Sequence, residues 1–272
     1  MQMIKYKWNS VDDIMQPFMF LSDSGKIKKA KLFDEDISMR IGDRTCIGHF
    51  SKSKHVQCKE KRAVTGEWNC NECKLRDDFF MCMPCDGTEC INSKQRHGCE
   101  ESKYYIYLAA FDSVLKVGIS QQFRIMERLI EQGADFGAKI AYMKDGKDVR
   151  VVEQEIRSKL DIVDRMTGDQ KQKMIFANPN TCVSNIISAI NKLKSNGISK
   201  YMITPEIYDL RNHYRLANVH HDPRRARISD GTHIEGSVVA AKGNIIIMND
   251  VKGFFSFNAH DLIGREIEIT NN

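Results

Sequence analysis

Eight cysteines carry the strongest chemical signal in this sequence. Cys46, Cys58, Cys70, Cys73, Cys82, Cys85, Cys90 and Cys99 fall within one 54-residue stretch, and Cys182 alone lies outside it. Two pairs, Cys70 with Cys73 and Cys82 with Cys85, have the C-x-x-C spacing. That spacing lets two thiolates converge on one ion ~2.3 Å from each sulfur. In a secreted chain such a cluster would read as a disulfide framework. Met1 to Trp8 alternates apolar and charged residues and has no signal-peptide core, so a cytoplasmic location with reduced thiols is expected. Clustered reduced thiolates then read as metal ligands. The bland alternative, a chance cluster of small buried residues, suits eight neighbouring cysteines poorly. An iron–sulfur cluster is the better rival, but the C-x-x-C-x-x-C run of ferredoxins is absent.

Eight thiolates can fill two tetrahedral zinc sites. A sequential division is expected, with Cys46, Cys58, Cys70 and Cys73 in one and Cys82, Cys85, Cys90 and Cys99 in the other. Interleaved ligation is also compatible with the spacing. His49, His55 and His97 are reserve ligands. Sites with four protein ligands are closed and leave no coordination position for a reaction. The zinc region is therefore expected to be scaffold or nucleic-acid-binding surface.

The 272-residue chain has to position this region and whatever else it carries. Hydrophobic residues make up 42% of it, enough for a sizeable core, and the formal net charge is +5. That excess permits a polyanion partner without requiring one. No apolar run approaches the ~18 residues that cross a bilayer, so no membrane partner is expected. Alternating runs at Met3–Trp8, Phe18–Leu21, Ile27–Phe33 and Ile37–Ile41 predict strands. Residues 103–198 predict the order ββαβαα. Hairpin strands at Lys103–Ala110 and Val114–Ile119 precede a helix from Gln121 to Gln132 and a strand at Ala138–Met143. Helices at Asp148–Leu160 and Val183–Asn196 follow. The C-terminal part opens with a short helix near Pro205–Arg211, followed by strands that build a small antiparallel sheet or barrel. The expected division is residues 1–42 as a β segment, 43–102 as the zinc region, 103–198 as an α+β domain and 199–272 as a β-rich domain.

The central unit resembles the GIY-YIG superfamily of nucleases and nucleic-acid-binding domains. Tyr105-Ile106-Tyr107 stands where the first motif would be, and Leu115-Lys116-Val117-Gly118 where the second would be. Arg128 falls on the next helix and Glu153 on the one after. Together with the cysteine-rich front, the run "LKVGIS…R…EQGA" also looks like a microbial family of uncharacterised function, over roughly residues 44 to 160. The resemblance implies a GIY-YIG-like fold within an α+β protein. It implies a catalytic set of Tyr107, Lys116, Arg128 and Glu153, with Mg²⁺ or Mn²⁺ on the glutamate. Two departures bear on cleavage. Lys116 replaces the second tyrosine, and a downstream polar partner is suggested only by Asn178 or Asn180.

Helical geometry favours Glu153 independently. At ~100° per residue, Val149, Val152, Ile156 and Leu160 share one arc, and Glu153 lies only ~20° beyond its edge, whereas Glu155 points away. The bland readings are a glutamate bent out to water, arginines in local ion pairs, and Tyr107 as sheet packing. Arg124, Arg224, Arg225 and Arg227 are further candidates for phosphate contact. The expected function is a zinc-containing nucleic-acid-binding protein, acting on DNA or RNA, with divalent-metal-dependent endonuclease activity. The alternatives are a non-catalytic RNA-binding module and a zinc-stabilised protein-interaction adaptor.

Overall fold

In the first strand, Met3, Ile4, Tyr6 and Trp8 are buried while Lys5 and Lys7 turn outward, the alternation that seats a strand on a core. The computed structural model describes all residues except Ser53, Asp164, Asn196, Gly197, Asn271 and Asn272. Strands β1 (Gln2–Val11), β2 (Ile14–Asp23), β3 (Lys26–Lys31), β4 (Asp36–Arg44), β5 (His49–Ser51) and β6 (Lys54–Val56) come first. Helices α1 (Asn71–Arg76) and α2 (Ser93–Glu101) follow, then β7 (Lys103–Phe111), β8 (Val114–Gln121), α3 (Ile125–Gln132) and β9 (Phe136–Lys144). Next are α4 (Gly146–Leu160), α5 (Gly168–Lys173), α6 (Pro179–Lys194) and β10 (Met202–Asp209). The chain closes with β11 (Arg224–Arg225), β12 (His233–Lys242), β13 (Ile245–Asp250), β14 (Gly253–Asn258) and β15 (Arg265–Ile269). The protein is mixed α+β. No helix among the described residues is long and apolar enough to cross a membrane.

The chain divides into two compact units, residues 1–80 with 213–272, and residues 81–212. This differs from the four-part division expected. The two terminal β segments pair into one nine-stranded sheet, ordered β11-β14-β13-β12-β4-β15-β1-β2-β3, in place of a separate C-terminal sheet or barrel. The cysteine-rich stretch is split between the units after Phe80. In the first unit Trp8 is fully buried, edge-on to Phe33 and Tyr214 at 5.7 and 5.9 Å. Its Nε1 and the Tyr6 hydroxyl both donate to the Gly243 carbonyl, at 2.7 and 2.8 Å.

In the second unit β10-β9-β7-β8 form an antiparallel sheet. One face packs Ile106, Leu108 and Val117 against Val149, Val152 and Ile156 of α4 and Ile186 and Ile190 of α6. Asp145 caps α4 by accepting from the Lys147 amide at 2.8 Å, and both its oxygens accept from Arg96 of α2 at 2.6 Å. That guanidinium holds the Asp145 carboxyl below its ordinary range. The order differs from the expected ββαβαα by one short additional helix, α5, between α4 and α6. The last helix was expected to end at Asn196, which lies outside the described residues.

The short helix expected near Pro205–Arg211 is instead strand β10. It lies at the sheet edge with a register irregularity between Met202 and Glu206. An edge with a bulge is where proline's missing N–H costs no ladder bond. Trp8→Ala should cost the first unit ~3–5 kcal/mol, because it leaves a large cavity. Urea unfolding followed by circular dichroism checks this, and Trp8→Phe should cost less.

Candidate functional site

Cys46 lies just beyond β4, Cys58 beyond the β5–β6 hairpin, Cys70 at the N-cap of α1 and Cys73 within it. Their four Sγ atoms lie within 4.8 Å of one another. A zinc tetrahedron with ~2.3 Å bonds needs sulfurs ~3.8 Å apart, so this spacing is near the required one. The amides of Gly48 and Cys70 donate to Cys46 Sγ at 3.4 and 3.1 Å. Gly48 has φ 90°, and a Cβ there would sit 2.0 Å from the Val56 carbonyl oxygen, so the turn admits only glycine. Burial pushes the Cys46 and Cys73 thiols up, and neighbouring thiols add to this at Cys73. Burial also acts on Cys58, but the Arg62 and Glu60 amides outweigh it and hold that thiol below its ordinary value. Four thiolates this close cannot all ionise without a cation between them. The arrangement can therefore hold a metal such as zinc.

The reserve histidines stay outside this group. His55 Nε2 bonds the Ile47 carbonyl at 2.5 Å, His49 is buried in β5, and His97 is exposed on α2. The other four cysteines belong to the second unit and do not form so tight a group among the described residues. Burial pushes the Cys82 thiol up, and charges on Cys85 and Cys99 add to it. Asn92 donates to Cys82 Sγ at 3.3 Å, and exposed Cys90 donates to the Asn92 carbonyl at 3.5 Å. No apolar side chain from Met81 to Ser102 enters the buried core, so packing alone does not draw these thiols together. Cys182 has no part in either set. It is buried on α6 and donates to the Asp112 carbonyl at 3.3 Å.

A second constellation centres on Tyr107. It pairs across the sheet with Gly118, and a Cβ on Gly118 would lie 2.5 Å from the Tyr107 hydroxyl oxygen. Only glycine leaves room for the ring. Tyr107 is buried, which pushes its phenol up, against the pull of Arg128 and of the hydrogen bond that Gln132 Nε2 donates to its hydroxyl. The Glu153 charge raises it further, so all three side chains act on one hydroxyl. Lys116, on β8, donates from Nζ to Gln132 Oε1 at 2.8 Å. Arg128 is exposed on α3, Glu153 half-buried on α4, and Glu155 exposed in a 2.7 Å pair with Lys159. Lys116 and Tyr107 are thus linked through Gln132, and the charges of Arg128 and Glu153 act on the Tyr107 hydroxyl.

The other candidates are placed differently. Arg124 is tied to Glu127 and Glu131. Arg224 pairs with Asp250 at 3.0 Å, whereas Arg225 and Arg227 are exposed, and all three belong to the first unit. Asn178 is spent on capping α6, accepting from the Asn180 and Thr181 amides, and Asn180 is exposed beside it. Gln132 supplies a polar contact that sequence reasoning missed. Its position four residues after Arg128, on the same helical face, was the available signal.

Residues 35–267 match a family described as protein of unknown function (DUF2797). The chain belongs to that family. No curated protein and no solved structure matches it. The DUF2797 span includes both cysteine sets, Tyr107, Arg128 and Glu153.

Metal ligation requires thiolates, so a metal held by Cys46, Cys58, Cys70 and Cys73 of this DUF2797 protein should be released as pH falls and retained as it rises. A metal-sensitive dye read across a pH titration checks this. Cys70→Ser should move release to higher pH. Gly118→Ala should cost ~1–3 kcal/mol by displacing the Tyr107 ring, read as a lower unfolding midpoint with metal content unchanged.

Proposed function

We propose that this is a zinc-containing nucleic-acid-binding protein whose second unit is GIY-YIG-like and hydrolyses phosphodiester bonds with a divalent ion. The observation that carries this reading is the buried Tyr107 hydroxyl, seated against Gly118 and bonded through Gln132 to Lys116, with the charges of Arg128 and Glu153 acting on it. Such a site needs a carboxylate for a hard cation and a fixed positive charge for a phosphate. Glu153 fits the first need. It stands half-buried on α4 at the margin of an apolar helix face, and its charge acts on the Tyr107 hydroxyl. Mg²⁺ or Mn²⁺ bound there would polarise the phosphate. Arg128 holds the phosphate oxygens, Gln132 fixes the Tyr107 hydroxyl, and Lys116 adds a second phosphate contact. Zinc suits the Cys46, Cys58, Cys70 and Cys73 group because thiolates select soft or borderline ions. In this reading a second zinc gathers Cys82, Cys85, Cys90 and Cys99. The nine cysteines are all free of disulfides, which suits a cytoplasmic protein.

A second reading, binding without cleavage, is favoured by two observations. Burial keeps Tyr107 protonated, and Lys116 stands where the resembled nucleases have a second tyrosine. A protonated phenol and an ammonium position a phosphate but do not activate water.

Cleavage assays on DNA and RNA with Mg²⁺ or Mn²⁺ separate the two readings. Glu153→Gln should abolish turnover and leave binding nearly intact, because the charge that holds the ion is lost. Arg128→Ala should weaken both, and Glu155→Gln neither. A parent that binds but never cleaves establishes the second reading. Elemental analysis should find about two zinc ions per chain.

A further inference from the structure

Cross-strand partners share one face of a sheet, so register alone shows what lies beside Tyr107. Tyr107 stands opposite Gly118 on β8 and Lys139 on β9, and Lys139 stands opposite Glu206 on β10. Two residues back along β7, Tyr105 stands opposite Tyr142. Two residues further back, Lys103 stands opposite Lys144. These three rungs lie on the face away from the core of Ile106, Leu108 and Val117. At ~3.3 Å per residue, they span ~13 Å from the lysine pair to Tyr107.

Each rung has a chemical bias. The Tyr105 and Tyr142 rings are half-exposed, 5.2 Å apart and tilted at 53°. Lys139 Nζ lies 5.1 Å from the Tyr105 ring and 5.1 Å from the Tyr208 ring. Phe123 is 81% exposed in the turn before α3. With Lys103, Gln121 and Gln122 it lines an open hollow of ≈ 280 Å³. Lys103 and Lys144 are both exposed, and like charges directly opposite destabilise a sheet. An anion bridging them would remove that cost.

We propose that this face seats an unpaired strand of nucleic acid, with bases stacked on Tyr105, Tyr142 and Phe123 and phosphates on Lys103 and Lys144, leading to the Tyr107 site. Aromatic rings interleaved with lysines are the combination that grips single strands, since every base has a π-face and every nucleotide a phosphate. A duplex keeps its bases stacked internally and offers these rings nothing. The proposal rests on the nucleic-acid reading above and narrows its substrate to single-stranded or splayed segments.

Fluorescence anisotropy with short labelled oligo(U) and oligo(dT), and with a blunt duplex, tests it on the full chain. The parent should prefer the single strands. Phe123→Ala alters only an exposed turn, and it should weaken single-strand binding by about fivefold or more. Tyr105→Ala with Tyr142→Ala should do the same, whereas Tyr→Phe at both positions should preserve affinity. Lys103→Ala with Lys144→Ala should reduce the salt slope by about 1.4. A parent that prefers duplex overturns the proposal. So do platform variants that bind like the parent while Arg128→Ala binds more weakly, and the nucleic-acid reading then survives. A parent that binds neither form overturns both.

Discussion

A buried hydroxyl must find partners, and the one on Tyr107 organises the candidate site. It can lie at the sheet surface only because Gly118 opposite has no side chain. Its hydrogen bond comes from Gln132, which in turn receives Lys116. That chain ties β7, β8 and α3 together, and the charges of Arg128 and Glu153 both act on its hydroxyl. Substituting any member would leave a buried polar group unmatched, a larger loss than the net worth of the bond itself. The site is therefore a property of the sheet register as much as of the residues.

The first cysteine group obeys a different constraint. Its thiols are buried and mutually crowding, and only a cation makes their joint ionisation favourable. A metal held by all four sulfurs would have no ligand position left for a reaction, and would fix the loops of the first unit. The second set lacks comparable preassembly. Its segment has no apolar core, and in the proposed reading binding and folding there are one event. The Arg96–Asp145 pair already anchors α2, which bears Cys99, to the helix carrying Glu153.

Local patterns made much of the fold legible. Alternation marked the N-terminal strands, apolar runs punctuated by Gly243, Gly253 and Gly264 marked the C-terminal ones, and helical spacing marked α4 and α6. What could not be read was pairing between distant segments. That β15 lies between β1 and β4 is a long-range choice with no local signature. Strand β10 was misread because Pro205 and the residues around it suggest a helix start, and only its edge position makes the strand tolerable. At the site, the order tyrosine, glycine, arginine, glutamate was visible. Gln132 was not, because a glutamine on a helix carries no chemistry until its two partners are known. Asn178 misled for the opposite reason, since a polar residue before a proline and a helix is spent on capping.

The most direct test of the central claim is whether a divalent ion binds beside Tyr107 through Glu153. NMR of the protein carrying ¹³C-labelled tyrosine, titrated with paramagnetic Mn²⁺, reads this without requiring turnover. The account predicts that the Tyr107 ring signal broadens in the parent and stays sharp in Glu153→Gln. A Tyr107 signal that stays sharp in the parent, or broadens equally in the variant, would contradict it.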